Sequence, residues 1–374
     1  MLAWRLYVDE SGRFDDDHDA VVVVGLLVPE RVSPRQVMGP LRSAAVGLPW
    51  PPHAAHYNVP ILHVLGRYLA RETDPTRPWD SVERGAQRYL AAAAAAAGPL
   101  VNRVLESLRR GQRPELSDLT DLEVAARAAS RGLDEGARLA AETLKDEFRE
   151  RVRAVMAALA AEGLLLGVAA EATSNDAGAS WVDVAVPRAA QGITPPTPTH
   201  RYFGLLGALF ERVADVLDRA PGPHTVRPWV LTRGVHDMRG LREPDLERVV
   251  KAYQPNRRAV EFKPGQVVRF DDSASGFSVL ADFAANWSRK AVSGASLAEI
   301  EERVAALETP ARSGAPGLSH IAASGPPGRY VRAARAMRRD LMKDLRPQLA
   351  PPQARWACEQ AIEWAVAFAP EASS

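Results

Sequence analysis

Two stretches of this chain set carboxylates where a fold must hold them for a reason. The first is Trp4-Arg-Leu-Tyr-Val-Asp-Glu-Ser-Gly12, in which an apolar run leads directly into Asp9 and Glu10 and then a Ser-Gly turn. The second is Leu280-Ala-Asp-Phe-Ala-Ala-Asn-Trp287, where Asp282 sits among Leu280, Ala284, Trp287 and Ala291 at helical spacing. A carboxylate beside apolar structure is costly unless it is solvated, hydrogen-bonded or bound to a cation. Oxygen ligands suit Mg2+ or Mn2+, and two-ion hydrolysis of a phosphodiester needs several carboxylates around one point. Asp9, Glu10 and Asp282 are the leading catalytic and metal-ligating candidates. Asp272, after the apolar end of Val267–Phe270, and Asp237, after His236, are further candidate ligands. His236 could act as a general base beside them. Asp15, Asp16, Asp17, Asp19 and Ser11 read more simply as turn residues.

These acids need elements to position them. Trp4, Leu6 and Val8 alternate with Arg5, Tyr7 and Asp9, the period of a half-buried strand. Ala20–Val28 is a continuous β-branched run, a buried second strand closed by Pro29. Ser33–Val46 reads as a helix capped by Ser33, with Pro34 at its first position. Pro49–Pro60 is Pro- and His-rich and reads as irregular. From Leu62 to Ala161 the pattern is helical, broken near Thr73–Pro78 and Gly111–Pro114, and Asp134–Glu162 is one long amphipathic helix. Strand and helix patterns then alternate: Leu164–Thr173, Arg201–Leu217 (helix), Val226–Thr232, Glu243–Tyr253 (helix), Val267–Phe270 and Ser275–Val292 (helix). Asp is favoured mainly in a helix's first turn; one starting near Ser275 puts Asp282 about two turns in, which weakens a capping explanation. A Gly/Pro/Ser linker at Thr309–Gly328 precedes two more helical patterns, Tyr330–Leu345 and Gln353–Phe368.

Alternating strands and helices predict an α/β domain with a mixed sheet flanked by helices. Residues 62–161 are too long for one crossover and read as a large helical insertion. The expected organisation is a core in two parts, 1–61 and 162–292, with the insertion between them and a helical tail at 293–374.

Composition narrows the function classes. The chain has 374 residues, 46% apolar and 25% charged, as in soluble globular proteins. Its formal net charge is +1, so any affinity for nucleic acid must be local. Residues 329–346 carry 7 bases against 2 acids, and Arg332, Arg335 and Arg339 share one helical face that could meet phosphates in a salt-dependent way. Residues 115–150 carry 10 acids against 5 bases, so the insertion or the tail could also dock a second copy or a protein partner. Cys358 is the single cysteine, which excludes an intrachain disulfide and a multi-thiolate zinc site and suits a reducing cytoplasm. No leader pattern and no apolar run long enough for a membrane span are present, so a cytoplasmic protein with no membrane partner is expected. His53, His56 and His63 cluster in sequence; His53 and His56, three apart, could bind a metal, though loop hydrogen bonding is the simpler role.

Tyr7-Val-Asp-Glu-Ser-Gly12 and Ser278-Val-Leu-Ala-Asp-Phe-Ala-Ala285, with Arg289-Lys290 after it, resemble the opening and closing motifs of a prokaryotic family. That domain-of-unknown-function family begins Y-x-D-E-S-G, ends in an L-Q-x-A-D helix, and has many members near mobile or defence genes. The resemblance covers residues 4–30 and 200–292. It implies a ribonuclease H-like fold, an acidic metal site inherited by Asp9, Glu10 and Asp282, and phosphate positioning by Arg289 and Lys290. Two departures stand out. Val279 replaces the Gln, and Pro228-Trp-Val-Leu-Thr-Arg-Gly234 has Thr232 or Arg233 where the family carries an acid. The leading expectation is therefore a metal-dependent nuclease acting on DNA or RNA. The alternatives are a ribonuclease H-like binding or assembly protein that has lost its chemistry, and a hydrolase of a small phosphorylated substrate.

Overall fold

The computed structural model describes residues 2–13, 21–45, 47–74, 76, 80–131, 135–171, 220–232, 259–269, 276–292 and 321–322. It also describes individual helical positions between 202 and 218. The chain divides into two units, Met1–Val32 with Leu159–Ser374, and Ser33–Ala158.

The first unit is built on a mixed sheet. Its strands are β1 (Leu2–Ser11), β2 (Val21–Pro29), β3 (Leu165–Glu171), β4 (His224–Thr232), β5 (Val260–Phe262), β6 (Gln266–Arg269) and β7 (Ile321–Ala322). The order is β5-β4-β1-β2-β3-β7, with β6 also paired to β4. β2 runs antiparallel to β1 and β3, while β4 is parallel to β1, β5 and β6. β2 is buried along its whole length, as its unbroken apolar run requires of a strand covered on both faces.

The two faces follow the pleat of β1. Leu6 and Val8 join Val21, Val23 and Leu27 in a core with Tyr202, Leu205, Leu206, Leu209, Phe210, Val213 and Leu217. A Cβ on Gly25 would lie 2.8 Å from Leu6 Cδ1 and 2.9 Å from Leu209 Cδ2, so this helical layer rests closely on β2. Arg201–Leu217 is expected to bury Phe203, Leu206, Phe210, Val213 and Leu217 on one face; Leu206, Phe210, Val213 and Leu217 are in the core together with Tyr202, and Phe203 lies outside the described residues. Tyr7 faces the other way, its ring 5.8 Å from Trp229 and 5.3 Å from Phe277. Phe277 belongs to a helix at Gly276–Val292, which packs on β1 and β2 and is buried from Gly276 to Ala285.

Several local details differ from the sequence pattern. β5 has only three residues, too few for a period to register. Pro228, which cannot donate to a ladder, falls in the gap between the β5 and β6 pairings on β4. β7 arises inside the expected Gly/Pro/Ser linker, two residues paired with β3.

The second unit is helical and wider than the expected insertion. It holds α1 (Arg35–Ala44), α2 (Ala54–Tyr57), α3 (Pro60–Thr73), α4 (Ser81–Arg109), α5 (Leu116–Ser130) and most of α6 (Glu135–Ala161). With those six placed, the Gly276–Val292 helix is α7. Pro34, not Ser33, is the cap residue of α1, and Ser33 Oγ instead accepts from the Arg35 N–H. The stretch expected to be irregular contains α2, whose first turn is capped by His53 Nδ1 accepting from the Ala55 N–H. α4 opens with a capping box between Asp80 and Glu83.

α3 starts at Pro60 after Val59, which has no capping group. A carboxylate from α5 fills that role. Glu123 accepts from the Ile61 N–H at 2.9 Å and from the Tyr89 hydroxyl at 2.8 Å, and also receives Arg127 Nε. Arg127 reaches on to Glu142, which pairs with Lys145. Five side chains of α4, α5 and α6 are thereby tied to the start of α3. Much of the negative charge of residues 115–150 is matched within this unit, since Glu147, Asp146 and Glu150 also pair with Arg67, Arg149 and Arg153.

Candidate functional site

β1 is the central strand, and its C-terminal end carries Asp9 and Glu10. From β1 the chain passes to β2 on one side, whereas β4, on the other side, neighbours β5 and β6. β1 and β4 are parallel, so their carboxyl ends lie together. Crevices outside the carboxyl ends of strands, where the connections diverge, are the usual ligand sites of open α/β sheets. Asp9 and Glu10 stand at such a place.

Both acids are inside the protein, with Asp9 2% and Glu10 9% exposed. Asp9 Oδ2 and Glu10 Oε2 are each shielded from solvent. Adjacent residues of a strand point to opposite faces. Asp9 therefore shares the face of Tyr7 and α7, and Glu10 that of Val8 and the 202–218 layer. The surroundings of each acid therefore depend on what its own face supplies.

α7 supplies Asp282, 1% exposed and well beyond the helix's first turn. An Asp there has no use as a cap, which agrees with the sequence argument. Arg289 and Lys290 lie in the last turn of the same helix, Arg289 partly buried and Lys290 exposed. Cations at that end complement the helix dipole whether or not they meet phosphate.

The 202–218 layer supplies Tyr202, which sequence reasoning missed. It is 0% exposed, and its hydroxyl is shielded from solvent. Burial first, then the charge of Glu10, then that of Asp9, push its pKa well above the ordinary Tyr range. The phenol therefore stays protonated within electrostatic reach of both acids. The available signal was spacing: Tyr202 is seven residues before Leu209, on the same helical face.

Thr232 ends β4, two residues past the rung that pairs Val8 with Val230. The position at which the resemblance calls for an acid is thus level with the carboxylates of β1. His236, Asp237, Asp272, Arg332, Arg335 and Arg339 lie outside the described residues.

The histidines of the helical unit have other partners. His56 Nε2 donates to the Pro114 carbonyl at 3.1 Å, and His63 Nε2 to the Tyr57 carbonyl at 2.8 Å. His53 Nδ1 caps α2 and lies 3.5 Å from His56 Nδ1. Among the described residues, no group of three His, Cys, Asp or Glu side chains is arranged to hold a metal ion. The donor types of Asp9, Glu10 and Asp282 are all carboxylate oxygen, which fits a hard divalent cation. Among the described residues, no helix is long and apolar enough to cross a membrane. No protein-family model, curated protein or solved structure matches this chain.

Proposed function

We propose that this chain is a metal-dependent nuclease-like protein on a ribonuclease H-like core, hydrolysing phosphodiester bonds in DNA or RNA. The observation that carries the reading is the burial of Asp9 and Glu10 at the carboxyl end of the central strand and of Asp282 in α7, the helix packed on that strand. Three carboxylates withdrawn from water disfavour the fold unless hydrogen bonds or positive charge compensate them, and a bound cation would supply that charge. A sheet ordered β5-β4-β1-β2-β3, with β2 alone running against the others, supports the ribonuclease H-like core.

Asp9, Glu10 and Asp282 would hold Mg2+ or Mn2+, with Asp272 and Asp237 completing the ligand set. Bound there, the ion would supply Lewis-acid chemistry suited to water activation and leaving-group stabilisation at a phosphodiester. The carboxylates would orient it, and the packing of α7 on β1 and β2 limits their solvation. Arg289, Lys290 and the cations of residues 329–346 would guide a phosphate backbone in a salt-dependent manner. The test is Mn2+-dependent cleavage of single- and double-stranded DNA and RNA by the full chain. Activity should be lost in Asp9→Asn and Asp282→Asn. Intact substrates throughout, with wild-type protein and Mn2+, would remove the enzymatic reading.

A second reading has its own support. Thr232 supplies no carboxylate at the end of β4, where the family resemblance calls for one. A ribonuclease H-like protein acting in binding or assembly would need no complete ligand set. On that reading Asp9→Asn leaves the cellular role intact, while disruption of the helical unit abolishes it.

A further inference from the structure

We infer that Tyr202 is a positioning residue for Glu10, its hydroxyl donating to the Glu10 carboxylate when a divalent cation draws that carboxylate into place. The inference rests on the proposed metal site.

Three independent placements support it. First, the pleat sets Glu10 on the face of Leu6 and Val8, and these two share one core with Tyr202. Second, the helical layer runs the right way. Its far end reaches Ala220, whose carbonyl accepts from His224 Nε2 at 3.4 Å, and His224 pairs with Leu2 at the opposite end of β1. Leu209 stands over Gly25, the partner of Val8. Tyr202 is seven residues earlier, about 10 Å back along a helix. Glu10 is two residues beyond Val8, about 7 Å along the strand. Both therefore lie at the carboxyl end of β1. Third, Tyr202 is fully buried in a core that includes Leu205, Leu206, Leu209, Phe210 and Val213. A phenol oxygen buried in such a cluster disfavours folding unless it has a polar task, since Phe would fill the same space.

Groups that orient metal ligands typically change metal affinity by about 10- to 100-fold when removed. The experiment measures Mn2+ affinity of the full chain by titration calorimetry and by the electron paramagnetic resonance of free Mn2+. It compares wild type, Y202F, E10L, D9N and the pairs Y202F/E10L and Y202F/D9N. Y202F removes one oxygen and keeps the ring that fills the core, and circular dichroism checks that each variant is folded. Y202F should weaken Mn2+ binding about 10-fold in wild type and in D9N, but by less than about two-fold in E10L. Unchanged affinity in Y202F, or an equal loss in the E10L background, overturns the inference and leaves the metal site standing. A wild-type chain that binds no Mn2+ overturns the metal site and the inference together.

Discussion

Acid should loosen the helical unit through one residue, His63. Its Nε2 donates to the Tyr57 carbonyl, and its ring packs 5.5 Å from Tyr57 and 5.8 Å from Phe148, centroid to centroid. The side chain is only 4% exposed. Burial, above all, lowers its pKa from 6.5 to about 4. Lys145 and Arg67 add to this, while the Tyr57 carbonyl and Asp146 oppose it. Between those values the unfolded chain binds a proton that the native state refuses. Stability from this residue is therefore complete above about pH 6.5 and is lost as pH falls towards about 4. Linkage over both pKa values gives a loss of about 2 kcal/mol between about pH 7 and about pH 5. Most carboxylates are still ionised at that lower pH, so the effect is separable from general acid unfolding. Amide hydrogen exchange of the full chain, corrected for intrinsic rates, reads the opening free energy of α3 directly. It should fall by about 2 kcal/mol over this range in wild type. His63→Gln retains an N–H donor for the Tyr57 carbonyl but does not titrate, and should show a change below about 0.5 kcal/mol. An equal fall in both proteins would refute the assignment to His63.

Glu123→Ala should cost about 3 kcal/mol in urea unfolding, because it strands the Ile61 N–H, the Tyr89 hydroxyl and part of the Arg127 charge; a loss near zero would mean water replaces the carboxylate. Gly47→Ala should destabilise by at least about 2 kcal/mol on the same assay, since φ is +74° and the new Cβ would collide with the Gly66 carbonyl oxygen. Asp80→Ala removes the cap of α4 and should cost about 1 kcal/mol, seen as faster exchange of its first-turn amides. Thr232→Asp adds a carboxylate at the end of β4; it should tighten Mn2+ binding in calorimetry, and unchanged binding would separate that strand end from the site.

The buried acids Asp9, Glu10 and Asp282 stood out in the sequence because their clues are local. A strand that ends in Asp9-Glu10 and an Asp in the body of an apolar helix violate the usual preferences of those elements, and such violations show in a single chain. The place of Tyr202 was not legible. Tyr202 resembles any aromatic core residue until the direction of its helix and the pleat of β1 set it beside Glu10. In the helical unit, Glu123 likewise reads as one more surface acid, yet it caps a helix that starts 63 residues earlier in the chain at Pro60.

Periodicity and residue type alone determined the buried second strand, the breaks near Thr73–Pro78 and Gly111–Pro114, the long helix before β3 and the isolation of Asp282 from any capping role. These are contests between a side chain and its own backbone, settled within a few residues. Strand order, the side of the sheet to which each acid turns, the three-residue β5 beside β4, and the start of the helical unit at Ser33 were decided only by the tertiary structure. Each of these depends on pairing between segments far apart in the chain. The free energy of such pairing resides in surfaces that neither segment carries by itself, which is why Asp9 and Glu10 are adjacent in sequence yet belong to two different layers of the fold.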